Sequence, residues 1–123
     1  MSTAAVDNKQ FIEDYFRELS GQPKPDELLD RYISDPSLKE HIRQAEAAFP
    51  EYEVVAHQMV AEGDIVAVRC TLRGVHRGDF GGIPPTGKTV STDFMIFYRV
   101  SNGRIAEHWI QVDMKDLAEQ LMK

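Results

Sequence analysis

The sequence predicts an α+β fold in which helices come first and an antiparallel sheet follows. Over the first 50 residues, apolar side chains recur every three or four positions, which is typical of amphipathic helices. From Tyr52 onward the period changes to two and β-branched residues become frequent, which favours strands. The segments Gly63-Asp64 and Asn102-Gly103 then indicate two-residue hairpin turns. Helices followed by antiparallel strands define the α+β class.

The helical part is predicted to span about 3–50 and to contain three helices. The first begins near Ser2 or Thr3, and the segment SGQPKP ends it because proline cannot continue a helix. The segment DELLDRYI forms a short second helix. In the third, Asp35 is the predicted N-cap and Pro36 takes the first helical position, where a missing N–H costs nothing.

The remaining chain is predicted to form four strands and a short C-terminal helix, all in a single domain covering 1–123. The antiparallel sheet spans about 52–113, and the helix spans about 114–122. The predicted strands lie near 52–62, 65–76, 88–101 and 104–113.

Two-residue turns fix the register of each hairpin and so predict which side chains share a face. The inward face of the first hairpin is predicted to hold Val55, His57, Met59, Ala61, Val66, Val68, Cys70 and Leu72. The inward face of the second is predicted to hold Phe94, Ile96, Tyr98, Glu107, Trp109 and Gln111, with Asp113 at its end. The opposite face is too apolar to be left in water. We therefore expect a homodimer formed through Met95, Phe97, Ile110 and Val112.

Composition argues against several classes of partner. Fourteen basic residues against twenty acidic ones give a net charge of −6, which disfavours nucleic acid and anionic membrane surfaces. The single cysteine, Cys70, permits neither an intrachain disulfide nor a cysteine-rich metal site, and it fits a cytoplasmic location. We find no secretory signal and no membrane-length apolar run, and without a Cys/His cluster we expect no metal.

The segment GIPPTGKT, residues 82–89, matches the spelling of a phosphate-binding P-loop. A P-loop needs a helix after it, whereas VSTDFMIFYRV has strand character. Pro84 and Pro85 also remove two backbone donors that would hold a phosphate. We therefore predict a connection between two strands and no bound nucleotide.

Asp113 and two histidines are the candidates for proton chemistry. Asp113 could exchange a proton in an apolar pocket or could cap the terminal helix. His57 could act as base, acid or donor, although we favour a histidine satisfied by a neighbour. His76 could line a pocket mouth or could cap a loop. His41, on a helix, and His108, predicted on the outer sheet face, are less promising.

Three motifs together resemble the SnoaL-like polyketide cyclase, or ester cyclase, family over about residues 28–121. These are the EGD turn, the G-x-H-x-G-x-F segment with GIPPTGK, and the E-x-W-x-x-x-D segment. The resemblance implies a nuclear transport factor 2-like fold, which ketosteroid isomerase and scytalone dehydratase share. This fold is a cystatin-like α+β barrel, in which N-terminal helices close a cone of curved antiparallel sheet.

The resemblance also implies an activity. The cyclases close a ring by intramolecular aldol condensation, with an aspartate as general acid/base and no cofactor, and Asp113 matches that aspartate. They also use a histidine on the preceding strand, which this chain lacks, so His57 or His76 would replace it. The implied ligand is a small hydrophobic carbonyl compound, which is cyclised, isomerised or dehydrated. Its predicted contacts are Trp109, Gln111, Phe94, Tyr98 and Cys70. A non-catalytic ligand-binding dimer and a dimer with a filled cone are the alternatives.

Overall fold

Three helices precede four antiparallel strands, and a fourth helix follows them, as the sequence predicts. The computed structural model describes the backbone of residues 3–122 and the side chains of residues 7–122. The predicted helix start at Ser2 lies outside the described residues, and α1 begins at Thr3. The helices are α1 (Thr3–Leu19), α2 (Asp26–Tyr32), α3 (Pro36–Ala48) and α4 (Met114–Met122). The strands are β1 (Glu53–Glu62), β2 (Ile65–Val75), β3 (Thr89–Ser101) and β4 (Arg104–Val112).

The strands pair in chain order to form one curved sheet, and the helices cover its concave face. Helix α1 packs against β1 and β2, and α4 packs against β3. Buried side chains from both layers form one core, to which α1 contributes Ile12 and Tyr15 and β2 contributes Val66, Val68 and Cys70. This is the predicted cone of sheet closed by helices.

The start of α3 is fixed to strand β4. Asp35 is the N-cap, as predicted, and its side chain accepts hydrogen bonds from the backbone amides of Ser37 and Leu38. The amides of Ser34 and Asp35 both donate to the carbonyl of Ile105, at 2.9 and 3.2 Å. The N-terminus of α3 is therefore held beside β4.

A β-bulge changes the predicted face of half of β1. The register runs as predicted from Glu62 to Gln58 and then shifts, because Ala56, and not His57, pairs with Cys70. One extra residue moves the side chains beyond the bulge, on the side away from the hairpin turn, to the opposite face. The prediction that His57 and Val55 point inward is wrong. Val54 takes the buried position, and Val55 is exposed.

A second bulge inverts β4. Arg99 pairs with Glu107, and Val100 pairs with Ile105, so Ala106 is the extra residue. The carbonyl of Ile105 is bonded to the α2–α3 link, which accounts for the interrupted strand pairing there. The predicted faces of all later β4 residues are therefore wrong. Trp109, Gln111 and Glu107 lie on the outer face, whereas His108, Ile110 and Val112 lie on the inner face.

The outer face remains apolar with altered membership. Met95 and Phe97 lie there as predicted. Trp109 lies there too, whereas Ile110 and Val112, which were predicted there, lie on the inner face. Each of these three side chains is half exposed or more, at 57%, 50% and 51%. Glu107 lies on the same face and forms an ion pair with Arg99 at 2.6 Å. The homodimer that this surface suggests stays a prediction.

The segment 82–89 connects β2 to β3, and a strand follows it where a P-loop requires a helix. The segment forms hydrogen bonds to the nearby His76: the amide of Thr86 donates to Nδ1 of His76 at 3.2 Å. The amide of Gly87 donates to the backbone carbonyl of His76 at 2.9 Å. Across residues 3–122, no helix is long and apolar enough to cross a membrane.

Candidate functional site

A cavity of about 350 Å³ lies between the helices and the concave face of the sheet. Its wall is built mostly from aliphatic and aromatic side chains, with a few polar groups. This is the composition of a site for a small hydrophobic molecule, and the volume is at the lower end of ligand pockets. The wall includes Tyr15, Phe16, Leu38, His41, Ala45, Phe49, Tyr52, Thr92, Phe94, Ile96, Tyr98, Ile110, Val112 and Leu117.

Thr92 supplies an unused hydroxyl in this apolar wall. It lies on β3 opposite Leu72 and is 3% exposed. Its Oγ1 is buried and has no hydrogen-bond partner within the described part of the chain. An unsatisfied buried polar group costs about 1–3 kcal/mol. Such a group is retained at a cost in stability, which is typical of a position that serves a ligand.

Three tyrosines bring further hydroxyl groups to the wall. Burial raises the pKa of Tyr15, Tyr52 and Tyr98, so all three phenols stay protonated at neutral pH. The rings of Tyr15 and Tyr98 meet edge to face, with centroids 5.9 Å apart. Protonated phenols can donate hydrogen bonds, and they cannot accept a proton as a base at this pH.

Two histidines and an aspartate form a hydrogen-bonded chain at the cavity wall. Nδ1 of His108 lies 2.8 Å from Oδ2 of Asp35, and Nε2 of His108 lies 3.1 Å from Nδ1 of His41. The side chains of His108 and Asp35 are nearly buried, at 6% and 12% exposed. His41 is an exposed residue and is also among those that line the cavity.

The environment of Asp35 keeps its carboxylate ionised. Burial acts to raise the pKa of Asp35, but the hydrogen bonds from His108 and from the Ser37 and Leu38 amides outweigh it, and the pKa is lowered. Oδ1 accepts the two backbone amides, and Oδ2 accepts from His108. The helix cap therefore also fixes the orientation of the carboxylate toward the histidine.

Sequence reasoning did not find this chain. The sequence identifies Asp35 only as a helix cap, and strict alternation along β4 predicts an outward His108 because it does not include the bulge at Ala106. A signal was present in β4, since the alternate set His108, Ile110 and Val112 is more apolar than the set Glu107, Trp109 and Gln111. The more apolar set is the one expected to face the core.

Asp113 lies at the edge of the site and not in the cavity wall. It is exposed, and its Oδ1 accepts a hydrogen bond from the amide of Asp116 at 2.9 Å, which caps α4. It borders a second, more open depression on the outer side of the sheet, together with Arg69, Asp93 and Gln111. Of the two roles predicted for Asp113, the helix cap is the one seen in its contacts.

The two histidines predicted to assist catalysis lie away from the cavity and from each other. His57 is exposed on the outer face, where Nε2 lies 2.6 Å from the hydroxyl of Thr71, which donates to Asp93. His76 is fully buried beside Phe49 and under the 82–89 connection. Nε2 of His76 has no partner among the described residues, and neither histidine lines the cavity.

The predicted substrate contacts are divided between the two faces. Phe94 and Tyr98 line the cavity, as predicted. Trp109 and Gln111 are on the outer face, so the prediction that they point inward is wrong. Cys70 is fully buried in the core, and burial raises its pKa to about 12, which keeps the thiol protonated. Within residues 7–122, no three His, Cys, Asp or Glu side chains cluster in a way that could hold a metal ion.

Comparisons with known proteins give one family and one fold. The profile of the SnoaL-like polyketide cyclase family matches residues 6–121. A protein from Jannaschia sp. CCS1, assigned as a SnoaL-like polyketide cyclase, is similar with a TM-score of 0.85 at 20% identity, over 98% of this chain and 95% of that one. No curated protein matches the chain.

Two further solved structures have the same fold. A protein from Acidithiobacillus ferrooxidans, assigned as a polyketide cyclase, is similar with a TM-score of 0.79 at 25% identity, over 99% of this chain and 98% of that one. AclR from Streptomyces galilaeus, assigned as a hydroxylase, has a TM-score of 0.82 at 22% identity, over 96% of this chain and 82% of that one. Since these assignments differ, the fold alone does not name a reaction.

Proposed function

The chain belongs to the SnoaL-like polyketide cyclase family, and from this premise we propose that it is a cofactor-independent acid/base enzyme acting on a small hydrophobic carbonyl compound. The reaction would be an aldol-type ring closure, an isomerisation or a dehydration, each of which begins with loss of a proton next to a carbonyl group. The observation that carries the proposal is an apolar cavity whose wall includes Thr92, a residue with a buried hydroxyl that has no hydrogen-bond partner among residues 7–122.

The cavity wall selects the ligand by polarity. Aliphatic and aromatic side chains give up little hydration when an apolar molecule enters, so ring carbons are favoured over charged groups. The hydroxyl of Thr92 can donate one hydrogen bond to a ligand oxygen. A donor to a carbonyl oxygen also stabilises the negative charge that develops there as an enolate forms, and apolar surroundings strengthen that interaction.

Proton abstraction also needs a base in the wall. The titratable side chains among the lining residues are Tyr15, His41, Tyr52 and Tyr98. The tyrosines stay protonated at neutral pH because burial raises their pKa. His41 is therefore the lining residue whose side chain is of the type that can act as a general base. The role of Asp113 as acid/base stays a prediction, and Asp113→Asn tests it separately.

Binding and turnover of 2-tetralone test the proposal. This bicyclic ketone has acidic protons next to its carbonyl, and their replacement by deuterium in D₂O can be followed by NMR. We expect saturable binding and an exchange rate above that of buffer and of an unrelated protein. Ala45→Phe, which places a ring in the cavity, should abolish both. Ala47→Phe makes the same change on the exposed side of α3 and should abolish neither.

The outcomes separate the two candidate functions. Binding without exchange would favour the non-catalytic binding module. Absence of binding, or equal effects of Ala45→Phe and Ala47→Phe, would contradict a ligand site in the cavity.

A further inference from the structure

The hydrogen-bonded chain of Asp35, His108 and His41 connects a nearly buried carboxylate to the cavity wall through two imidazole rings. The three side chains come from two elements, since Asp35 and His41 belong to the cap and body of α3 and His108 belongs to β4. The Ile105 carbonyl holds these two elements together by accepting from the Ser34 and Asp35 amides. The bulge at Ala106 is what turns His108 inward to complete the chain.

The direction of the hydrogen bonds follows from the carboxylate. An ionised carboxylate can only accept, so Nδ1 of His108 must carry the proton that bonds to Asp35. Nε2 of a neutral His108 is then an acceptor, and it takes its hydrogen bond from Nδ1–H of His41. Nδ1 of His41 therefore carries the proton, and its Nε2 keeps a free lone pair.

We propose that Asp35 and His108 are positioning residues that hold His41 in the tautomer whose Nε2 can accept a proton from the ligand. This inference rests on the proposed function, because it assigns a base to the same cavity. It goes beyond that function by assigning roles to two residues that do not line the cavity. It also differs from the prediction that Asp113 is the acid/base, because Asp113 is not part of the hydrogen-bonded chain.

The proton and electron changes balance without any further reactant. Nε2 of His41 takes a proton from the carbon next to the carbonyl, and the C–H electron pair becomes the C=C bond of the enolate. The enolate oxygen carries the negative charge and accepts from the hydroxyl of Thr92. In a ring closure, the enolate carbon bonds to a second carbonyl carbon, and the resulting alkoxide takes the proton back from His41.

The hydrogen-bonded chain also stabilises the positively charged His41 that forms after proton transfer. When Nε2 is protonated, Nδ1–H still donates to His108, which still donates to the carboxylate of Asp35. A positive imidazolium is therefore connected to a fixed negative group through one neutral ring. A carboxylate that orients a catalytic histidine acts in this way without becoming protonated itself.

Asp35→Asn exchanges donors and acceptors along the hydrogen-bonded chain while retaining the helix cap. The amide oxygen of the introduced asparagine would keep the bonds to the Ser37 and Leu38 amides, so its NH₂ group must face His108. Asparagine caps helices as well as aspartate does, so the fold should persist. An NH₂ donor requires a bare Nδ1 on His108, which moves the protons to Nε2 of His108 and then to Nε2 of His41. Nε2 of His41 then carries a proton and cannot accept another from the ligand.

Two measurements on the full chain test the inference. Long-range ¹H–¹⁵N NMR of histidine-labelled protein reads the tautomers of the four histidines without any ligand. We expect His41 as the Nδ1–H form in the wild type and as the Nε2–H form in Asp35→Asn. The exchange of 2-tetralone should fall about 100-fold or more in Asp35→Asn, since the same carboxylate-to-amide change costs up to about ten-thousand-fold in a catalytic triad. Binding of 2-tetralone should be retained.

Asp113→Asn is the matched variant, because it makes the same change at the other helix cap. The tautomer of His41 should be unaffected by it. Loss of exchange in Asp113→Asn with retention in Asp35→Asn would overturn the inference in favour of Asp113. A wild-type His41 in the Nε2–H form, or a doubly protonated His108, would also overturn it.

Failure of the proposed function gives a different result. In that case the wild-type protein would not exchange 2-tetralone although His41 has the expected tautomer, and the catalytic role of the chain would fall with the function. If Asp35→Asn does not fold, His108→Phe replaces it, since a phenyl ring fills similar space but can neither donate to Asp35 nor accept from His41. Exchange at the wild-type rate in His108→Phe would then overturn the inference.

Discussion

Replacing Thr92 by valine should stabilise the ligand-free protein. Valine has nearly the shape of threonine and lacks the buried hydroxyl that has no partner among the described residues. Removing an unsatisfied buried group recovers about 1–3 kcal/mol of unfolding free energy. For a chain of 123 residues, each kcal/mol shifts Tm by about 4 °C. The expected rise in Tm is therefore about 4–12 °C.

The same substitution should weaken ligand binding. Loss of one hydrogen bond of about 0.5–1.5 kcal/mol raises the Kd for 2-tetralone by about 2- to 13-fold. Opposite effects on stability and affinity are expected where a residue is retained for function at a cost in stability. Differential scanning calorimetry and NMR titration measure the two quantities.

Thr71→Val is the control for this prediction. Thr71 lies on the neighbouring strand β2, and its hydroxyl is engaged with both Asp93 and His57, each at 2.6 Å. Valine there loses two hydrogen bonds and should not raise Tm. An unchanged or lower Tm for Thr92→Val would refute the reasoning, because it would mean that the Thr92 hydroxyl is satisfied in the free protein.

Three further predictions concern packing, pH and assembly. Gly78→Ala should lower the unfolding free energy by more than about 2 kcal/mol, because its Cβ would lie 2.1 Å from a backbone oxygen. Gly81→Ala is the control: its Cβ would lie in open space, and it should lower the unfolding free energy by only about 1 kcal/mol because of the positive φ. Equal losses of unfolding free energy for the two variants in chemical denaturation would contradict this prediction. The lowered pKa of Asp35 gives stability that is present above its unfolded pKa of about 3.9 and is lost as pH falls through the folded pKa. The stability difference between wild type and Asp35→Asn in urea should therefore shrink below about pH 4, and a difference constant with pH would count against it. Phe97→Arg should convert a dimer to monomers in sedimentation if the outer face is the interface, and an unchanged mass would argue against that surface.

The order of the elements was predictable because it depends on local patterns. The change in hydrophobic period at Tyr52 separated helices from strands, and each observed strand differs from the predicted one by a single residue at one end. The cap at Asp35 was equally local, since it depends on one side chain and the next two amides. The two hairpin turns also set the register correctly next to each turn.

The faces of β1 and β4 were not predictable beyond their bulges. Alternation assumes one residue opposite one residue, and a single extra residue at His57 or Ala106 reverses it for the remainder of the strand. At Ala106 the irregularity accompanies bonds from Ser34 and Asp35, which lie about 70 residues earlier in the chain. The position of the bulge depends on these distant bonds, and within β4 only the more apolar character of His108, Ile110 and Val112 indicates which face turns inward.

The sequence by itself determined the fold class, the element order and the family, because periodicity, turn residues and motifs are properties of neighbouring positions. Only the tertiary structure decided the candidate site. It moved Trp109 and Gln111 outward, placed Asp113 on a helix cap, and joined His108 to Asp35 and His41 at hydrogen-bond distance. Such contacts depend on where distant backbone groups bond to each other, and that is fixed only when the whole chain packs.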